Sequence, residues 1–183
     1  MTCRLRLMND GDLERVMRWR MLPEITQNMY SDPQLTPQVQ QQWFKRISQS
    51  REDRYWIIEL GDANAPVGVL NLSEIDYTHR RCAWAYYIAE ATARGRGIAK
   101  TLECNVYDHV LDVMGLNKLW CEVLSFNERV IRLHELFGSK VEGVLRQHIY
   151  KNGEFHDVVR MAVLRGQWLK ERASFQYTKI SIE

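Results

Sequence analysis

Apolar and polar positions follow two periods along this chain. Period two runs through residues 4–8, 54–60, 67–76, 82–89 and 118–124 and both halves of 141–164, so each stretch predicts a strand with one face turned inward. Turn clusters separate the second to fourth stretches, which predicts an antiparallel meander. Asn152-Gly153 predicts a tight hairpin between the last two strands.

Helical spacing appears at Leu13, Val16, Met17 and Arg20, after the capping residues Asn9 to Asp12. It returns at Val39, Trp43, Phe44 and Ile47, where Thr36 offers an N-cap and Pro37 suits the first helical position. A longer apolar stripe, Ile98, Leu102, Val106, Val110 and Val113, predicts a central helix stopped by Gly115, and residues 127–137 predict another before Gly138. The stretch "LPEITQNMYSDPQL" between the first two helices is too rich in Pro, Asn and Asp to be regular. The chain loses its pattern from about Lys170, so the expectation is one domain over 1–170 with a C-terminal tail or packing arm over 171–183.

Composition narrows the classes. The 183 residues carry 45% hydrophobic and 26% charged side chains, those of an ordinary globular domain. A net charge of +2 offers no broad basic footprint, so nucleic acid and acidic membrane surfaces are not expected as partners. No apolar run approaches the length of a membrane span. Four cysteines without C-x-x-C spacing, and no signal-like N-terminus, predict reduced thiols and a cytoplasmic protein. His79, His109, His148 and His156 show no ligand spacing, so no metal is expected.

The stretch "ATARGRGIAKT" joins the third meander strand to the central helix. Its Lys100-Thr101 pair lacks the glycines of a nucleotide Walker loop, and its position after a meander excludes a Rossmann unit. A strand, an Arg/Gly loop and a long helix remain, an arrangement in which the first helical N–H groups can hold a diphosphate. Gly95 and Gly97 let it approach the backbone, while Arg94, Arg96 and Lys100 can add charge.

Arg94-x-x-Gly97-x-Ala99, the preceding "AWAYYIAE", and the later "KLWCEV" and "NERVIRLHELFG" resemble the acetyl-CoA site of the GNAT N-acetyltransferase superfamily, with its loop pattern Q/R-x-x-G-x-G/A. That resemblance implies an α/β (mixed α+β) fold with a largely antiparallel central sheet, flanked by helices and splayed between strands 4 and 5. It implies acetyl-CoA as co-substrate. The loop from Arg94 through Gly95, Arg96, Gly97, Ile98 and Ala99 to Lys100 would wrap its diphosphate, and the main chain of Tyr87, Ile88 and Ala89 would hold the pantetheine arm and thioester. Asn127 is expected to cap its helix and to meet the pantetheine amide.

"CEVLSFNERVIRLHELFG" and "YKNGEFHDVVRMAVL" are similar to one branch, the N-acetyltransferases of pseudaminic acid biosynthesis, over roughly Arg18 to Arg165. The implied acceptor is the 4-amino group of UDP-4-amino-4,6-dideoxy-N-acetyl-β-L-altrosamine, a step towards the sugar placed on flagellin. "EIDYTHRR" also resembles spermidine acetyltransferases, so acetylation of a polyamine or a protein N-terminus stays open, as does a non-catalytic CoA-binding module. A homodimer is left open too.

Acetyl transfer to an amine needs a free lone pair and a proton for the departing thiolate. Glu122 is the candidate for the first, as a base acting directly or through water; the alternatives are that it merely orients the amine or pairs with a nearby arginine. His134 stands where the superfamily usually has tyrosine and is the candidate acid, with Tyr86, Tyr87 and Tyr107 as alternatives. Ser139 stands where the family usually has phenylalanine. Acceptor recognition falls to the segment 19–44, through Arg20, Met29, Tyr30, Gln40 and Trp43, with Trp84 on the neighbouring strand; its only acids are Glu24 and Asp32.

Overall fold

The computed structural model describes residues 2–183. In chain order it contains β1 (Cys3–Leu7), α1 (Leu13–Arg20), α2 (Pro23–Thr26), α3 (Pro37–Gln49), β2 (Arg54–Leu60), β3 (Ala65–Asp76), β4 (Arg81–Ile88), α4 (Ile98–Tyr107), β5 (Lys118–Leu124), α5 (Glu128–Leu136), β6 (Lys140–Lys151), β7 (Glu154–Leu164), α6 (Arg165–Glu171) and β8 (Ser181–Ile182). The expected meander is β2-β3-β4, and Asn152 and Gly153, both at positive φ, turn the β6–β7 hairpin.

One eight-stranded sheet runs β6-β7-β5-β4-β3-β2-β1-β8. Antiparallel pairing prevails, with parallel steps at β4–β5 and β1–β8. The β4–β5 ladder pairs Arg81, Cys82 and Ala83 with Lys118, Leu119 and Trp120 and goes no further. Beyond Ala83 and Trp120 the strands part, which is the expected splay.

Helices cover both faces. Leu102, Val106, Tyr107 and Leu111 pack from the α4 side against Cys82, Trp84, Leu119 and Cys121. Val16 and Trp19 of α1 pack on the opposite face against Ile57, Val69 and Ala89. Strand alternation therefore sorts β5: Leu119, Cys121 and Val123 turn toward α4, while Trp120 and Glu122 turn the other way.

Four expectations change. The central helix becomes a π-helix over Asp108–Val113, and this wider winding shifts its register. Leu111 is consequently buried and Val113 is 77% exposed. On α3, Thr36 caps the helix as expected, yet Gln40 takes the inward position and Val39 faces solvent. A short helix, α2, forms within the Pro- and Asn-rich stretch, with Pro23 at its first position.

The last twelve residues form a packing arm. Asn105 on α4 donates to Thr178 O and accepts from Ile180 N–H, Asp108 receives Tyr177 and Lys179, and β8 then pairs with β1. Phe175 stacks on Trp168 of α6 and approaches Gly138, next to the small Ser139. All four cysteines are free, with Cys82, Cys104 and Cys121 buried.

Candidate active site

The splay exposes main chain that a strand would normally pair. Ala89 N–H bonds to Val67 O of β3, so by strand alternation the main chain of Ile88, and of Tyr86 and Trp84 before it, faces the gap toward β5. A bound chain with amide groups can take the place of the missing strand. Gly68 permits this curvature, because a Cβ there would lie 2.1 Å from Tyr87 O.

The glycine loop follows directly. Gly95 and Gly97 adopt φ of 75° and 74°, and Gly97 caps α4 without any side-chain hydrogen bond, leaving the helix's first N–H groups open. Arg96 is exposed, and neither it nor Lys100 has an ion-pair partner among the described residues. Both can meet a phosphate. Arg94 has a different place: its Nε and Nη2 donate to Ile88 O and Ala89 O at 2.9 and 2.8 Å, so it fastens the loop to the end of β4.

Beneath α4 lies a polar cluster that is largely buried. The Glu103 carboxylate, fully buried, accepts from Tyr107 Oη at 2.8 Å and Tyr86 Oη at 3.1 Å, and His134 Nδ1 stands 3.0 Å away. Burial opposes charge on His134, but bonds to the Cys121 thiol and to Glu103 outweigh it and push its pKa up to about 10. Burial, reinforced by Glu103, raises the phenols of Tyr86 and Tyr107 well above their usual range, so both serve as O–H donors. Trp84 belongs to this side. It is 4% exposed and packs against Tyr86, Tyr107 and His134, which removes it from the acceptor face where it was expected.

On the opposite face Glu122 has both oxygens engaged. Arg160 of β7 donates to Oε1 through Nε at 3.0 Å and Nη2 at 2.5 Å, and Tyr30 Oη donates to Oε2 at 2.7 Å. Burial and Glu122 raise the Tyr30 phenol, holding it as a donor. Arg160 also stacks over Trp120, with 4.3 Å from its Cζ to the ring centroid. Lys151, at the end of β6, is buried and secures the segment that carries Tyr30: its ammonium bonds to Thr26 O and Met29 O and pairs with Asp32 at 3.1 Å. Arg20 lies 5.5 Å over the Trp43 ring, which meets Tyr55 edge-on. Gln40 and Tyr87 Oη are buried without partners among the described residues.

Asn127 departs from expectation. Its carbonyl accepts from Val130 and Ile131 N–H, but its side chain forms no cap on α5 and stays free for a ligand. Sequence reasoning missed Glu103, Arg160 and Lys151. Glu103 left one signal, a carboxylate inside the apolar stripe of the central helix and four residues before Tyr107.

A family model described as an acetyltransferase (GNAT) domain matches residues 3–140. The chain belongs to this GNAT family. Over 166 residues it is 28% identical to the spermidine N(1)-acetyltransferase of Vibrio cholerae, spanning 90% of this chain and 94% of the relative. A crystal structure of the spermidine N-acetyltransferase from Vibrio cholerae with CoA and spermine superposes at a TM-score of 0.86, 24% identity, covering 92% and 98% of the two chains. A dodecameric structure of that enzyme gives 0.79 at 23% identity, covering 93% and 98%. These likenesses support the fold and the wider resemblance. They lend no support to the narrower resemblance to pseudaminic acid enzymes.

A GNAT acetyltransferase takes its acetyl group from acetyl-CoA, and the geometry fits that donor. Unpaired main chain on β4 suits the pantetheine amides, and open helical N–H groups with Arg96 and Lys100 suit the diphosphate. Among the described residues no cluster of His, Cys, Asp or Glu could hold a metal ion, and no helix is long and apolar enough to cross a membrane.

Proposed function

We propose that this acetyltransferase acts on a small molecule with one reacting amine on a neutral or anionic body, the class of the aminodideoxysugar nucleotides. One observation carries this reading: the acids of the acceptor side are matched by cations of the chain itself. Glu122 is paired with Arg160, Asp32 with Lys151, and Glu24 lies 3.8 Å from Arg94. A polyamine brings several ammonium groups and calls for carboxylates free to receive them. Arg20 and the Trp43 ring instead offer a cation and an aromatic face to a nucleotide.

In this mechanism the acceptor amine takes the place of the Tyr30 hydroxyl on Glu122 Oε2 and loses its extra proton there, directly or through water. Glu122 passes that proton to solvent. The nitrogen lone pair attacks the thioester carbonyl, the C–N bond forms, the nitrogen gives its remaining extra proton to the same carboxylate, and the C–S bond breaks. His134, on the α4 side of the splay, gives its proton to the departing thiolate. The N–H of Ile88, facing the splay, supports the thioester oxygen.

Acetylation of a polyamine is the second reading, and the comparisons favour it over the first, since the Vibrio cholerae spermidine N(1)-acetyltransferase aligns over 166 residues at 28% identity. Self-association is proposed with it, on the dodecamer formed by that enzyme; light scattering of the purified chain tests it.

Release of free CoA thiol from acetyl-CoA should be followed with the UDP-4-amino-4,6-dideoxysugar, spermidine and a peptide panel. Turnover on the aminosugar nucleotide with none on spermidine is expected. Turnover on spermidine alone would overturn the first reading in favour of the second. With no acceptor active, acetyl-CoA binding without turnover would leave a CoA-binding module.

A further inference from the structure

Glu103 serves neither donor binding nor acceptor binding in the scheme above, yet it is the most enclosed acid of the molecule's centre. Its carboxylate, at 0% exposure, joins three elements that bound the splay: Tyr86 on β4, its own helix through Tyr107, and His134 on α5. Burying a carboxylate without use is costly, and a set of three donors is more than the packing of α4 requires, since Leu102 and Val106 already fill the stripe on either side. We infer that Glu103 is the positioning residue for His134, fixing its ring orientation, its tautomer and its proton so that His134 can protonate the departing CoA thiolate. This inference rests on the proposed role of His134.

The geometry supports each part. A carboxylate only accepts hydrogen bonds, so the proton on Nδ1 is assigned by the 3.0 Å contact with Glu103. That leaves Nε2 as the nitrogen available to Cys121, on the β5 strand that borders the splay. Rotation about the ring axis is blocked by Trp84, whose centroid lies 5.5 Å from that of His134, and by Tyr86 at 6.4 Å. The titratable groups facing the ring are Tyr86 from β4, Glu103 and Tyr107 from α4, and Cys121 from β5. Both phenols already direct their protons at Glu103, so that carboxylate faces the ring as an acceptor, and together with Cys121 it favours the protonated imidazole. The logic is that of an acid orienting and charging a histidine, applied here to proton donation.

The test uses the full chain labelled with 15N-histidine, with His134 assigned by loss of its signal in His134→Gln. In the unmodified protein His134 should stay doubly protonated at pH 8, and in Glu103→Gln its titration should fall by at least about 2 pH units toward the ordinary histidine value. In parallel, kcat should show an alkaline limb that moves down by the same amount in Glu103→Gln, while acetyl-CoA Kd stays within about 2-fold. Glu103→Gln should add no further loss in a His134→Gln background.

A His134 that is neutral at pH 8 in the unmodified protein overturns the inference whether or not Glu103→Gln folds. An alkaline limb unmoved in Glu103→Gln, or losses that multiply in the double variant, overturns it as well. Unchanged kcat at every pH in His134→Gln instead removes His134 as the proton donor, the reading beneath, and the NMR titration tells the two failures apart.

Discussion

The Tyr30 hydroxyl donates to Oε2 of Glu122 at 2.7 Å across 92 positions of sequence. It thereby closes the acceptor side over the carboxylate, whose other oxygen belongs to Arg160. Tyr30→Phe removes one hydrogen bond to a charged group at a partly exposed site. Acceptor KM should change about 3- to 10-fold while acetyl-CoA Kd stays constant, and steady-state kinetics with calorimetry separate the two. An unaltered acceptor KM would exclude Tyr30 from acceptor binding.

Arg94 and Arg96 are two residues apart and should behave differently. Arg96 is a free exposed cation, so Arg96→Ala should weaken acetyl-CoA binding about 5- to 10-fold with no change in melting temperature. Arg94 is bonded to Ile88 O and Ala89 O, so Arg94→Ala should lower both affinity and melting temperature. Calorimetry and thermal melts on the pair of variants check this, and identical behaviour would contradict it.

Stability should depend on pH through His134. Its folded-state pKa is raised from 6.5 to about 10, so its contribution is full below pH 6.5 and is lost as pH rises through 10. His109 has the opposite sign: burial lowers its pKa, so its contribution is lost as pH falls. Between pH 7 and 8.5 the His134 effect stands apart, and urea unfolding there should show stability falling with pH by up to about 1.4 kcal/mol per unit. A flat profile in that window would contradict the buried imidazolium.

Gly68→Ala should open the sheet where β3 meets the end of β4. The new Cβ would meet Tyr87 O at 2.1 Å, a backbone atom that cannot swing aside. A loss of about 1–3 kcal/mol is expected, together with weaker acetyl-CoA binding, because the strand that moves is the one lining the splay. Chemical denaturation and calorimetry check both parts.

The strands and the donor loop were legible because each depends on neighbours in sequence. Period-two runs fixed seven strands to within a residue or two, and Gly95 and Gly97 with a following apolar stripe marked the helix that receives a phosphate. The acceptor side was less legible because strand parity alone does not say which face meets which helix. Trp84 shares its parity with Cys82 and Tyr86 and so falls beneath α4. Arg160 and Lys151 were hidden because their partners lie 38 and about 120 positions away. The arm was hidden because β8 is two residues long and its order comes from side chains on α4 and the main chain of β1.

The Lys151 ammonium ties two distant parts of the chain together. Inserted under residues 26–32, it makes the tip of the β6–β7 hairpin and the acceptor segment a single mechanical part. Changes in the hairpin's length or turn would then be transmitted to Tyr30 as small displacements. Acceptor preference in such a chain can drift by natural variation at a hairpin that no acceptor ever touches.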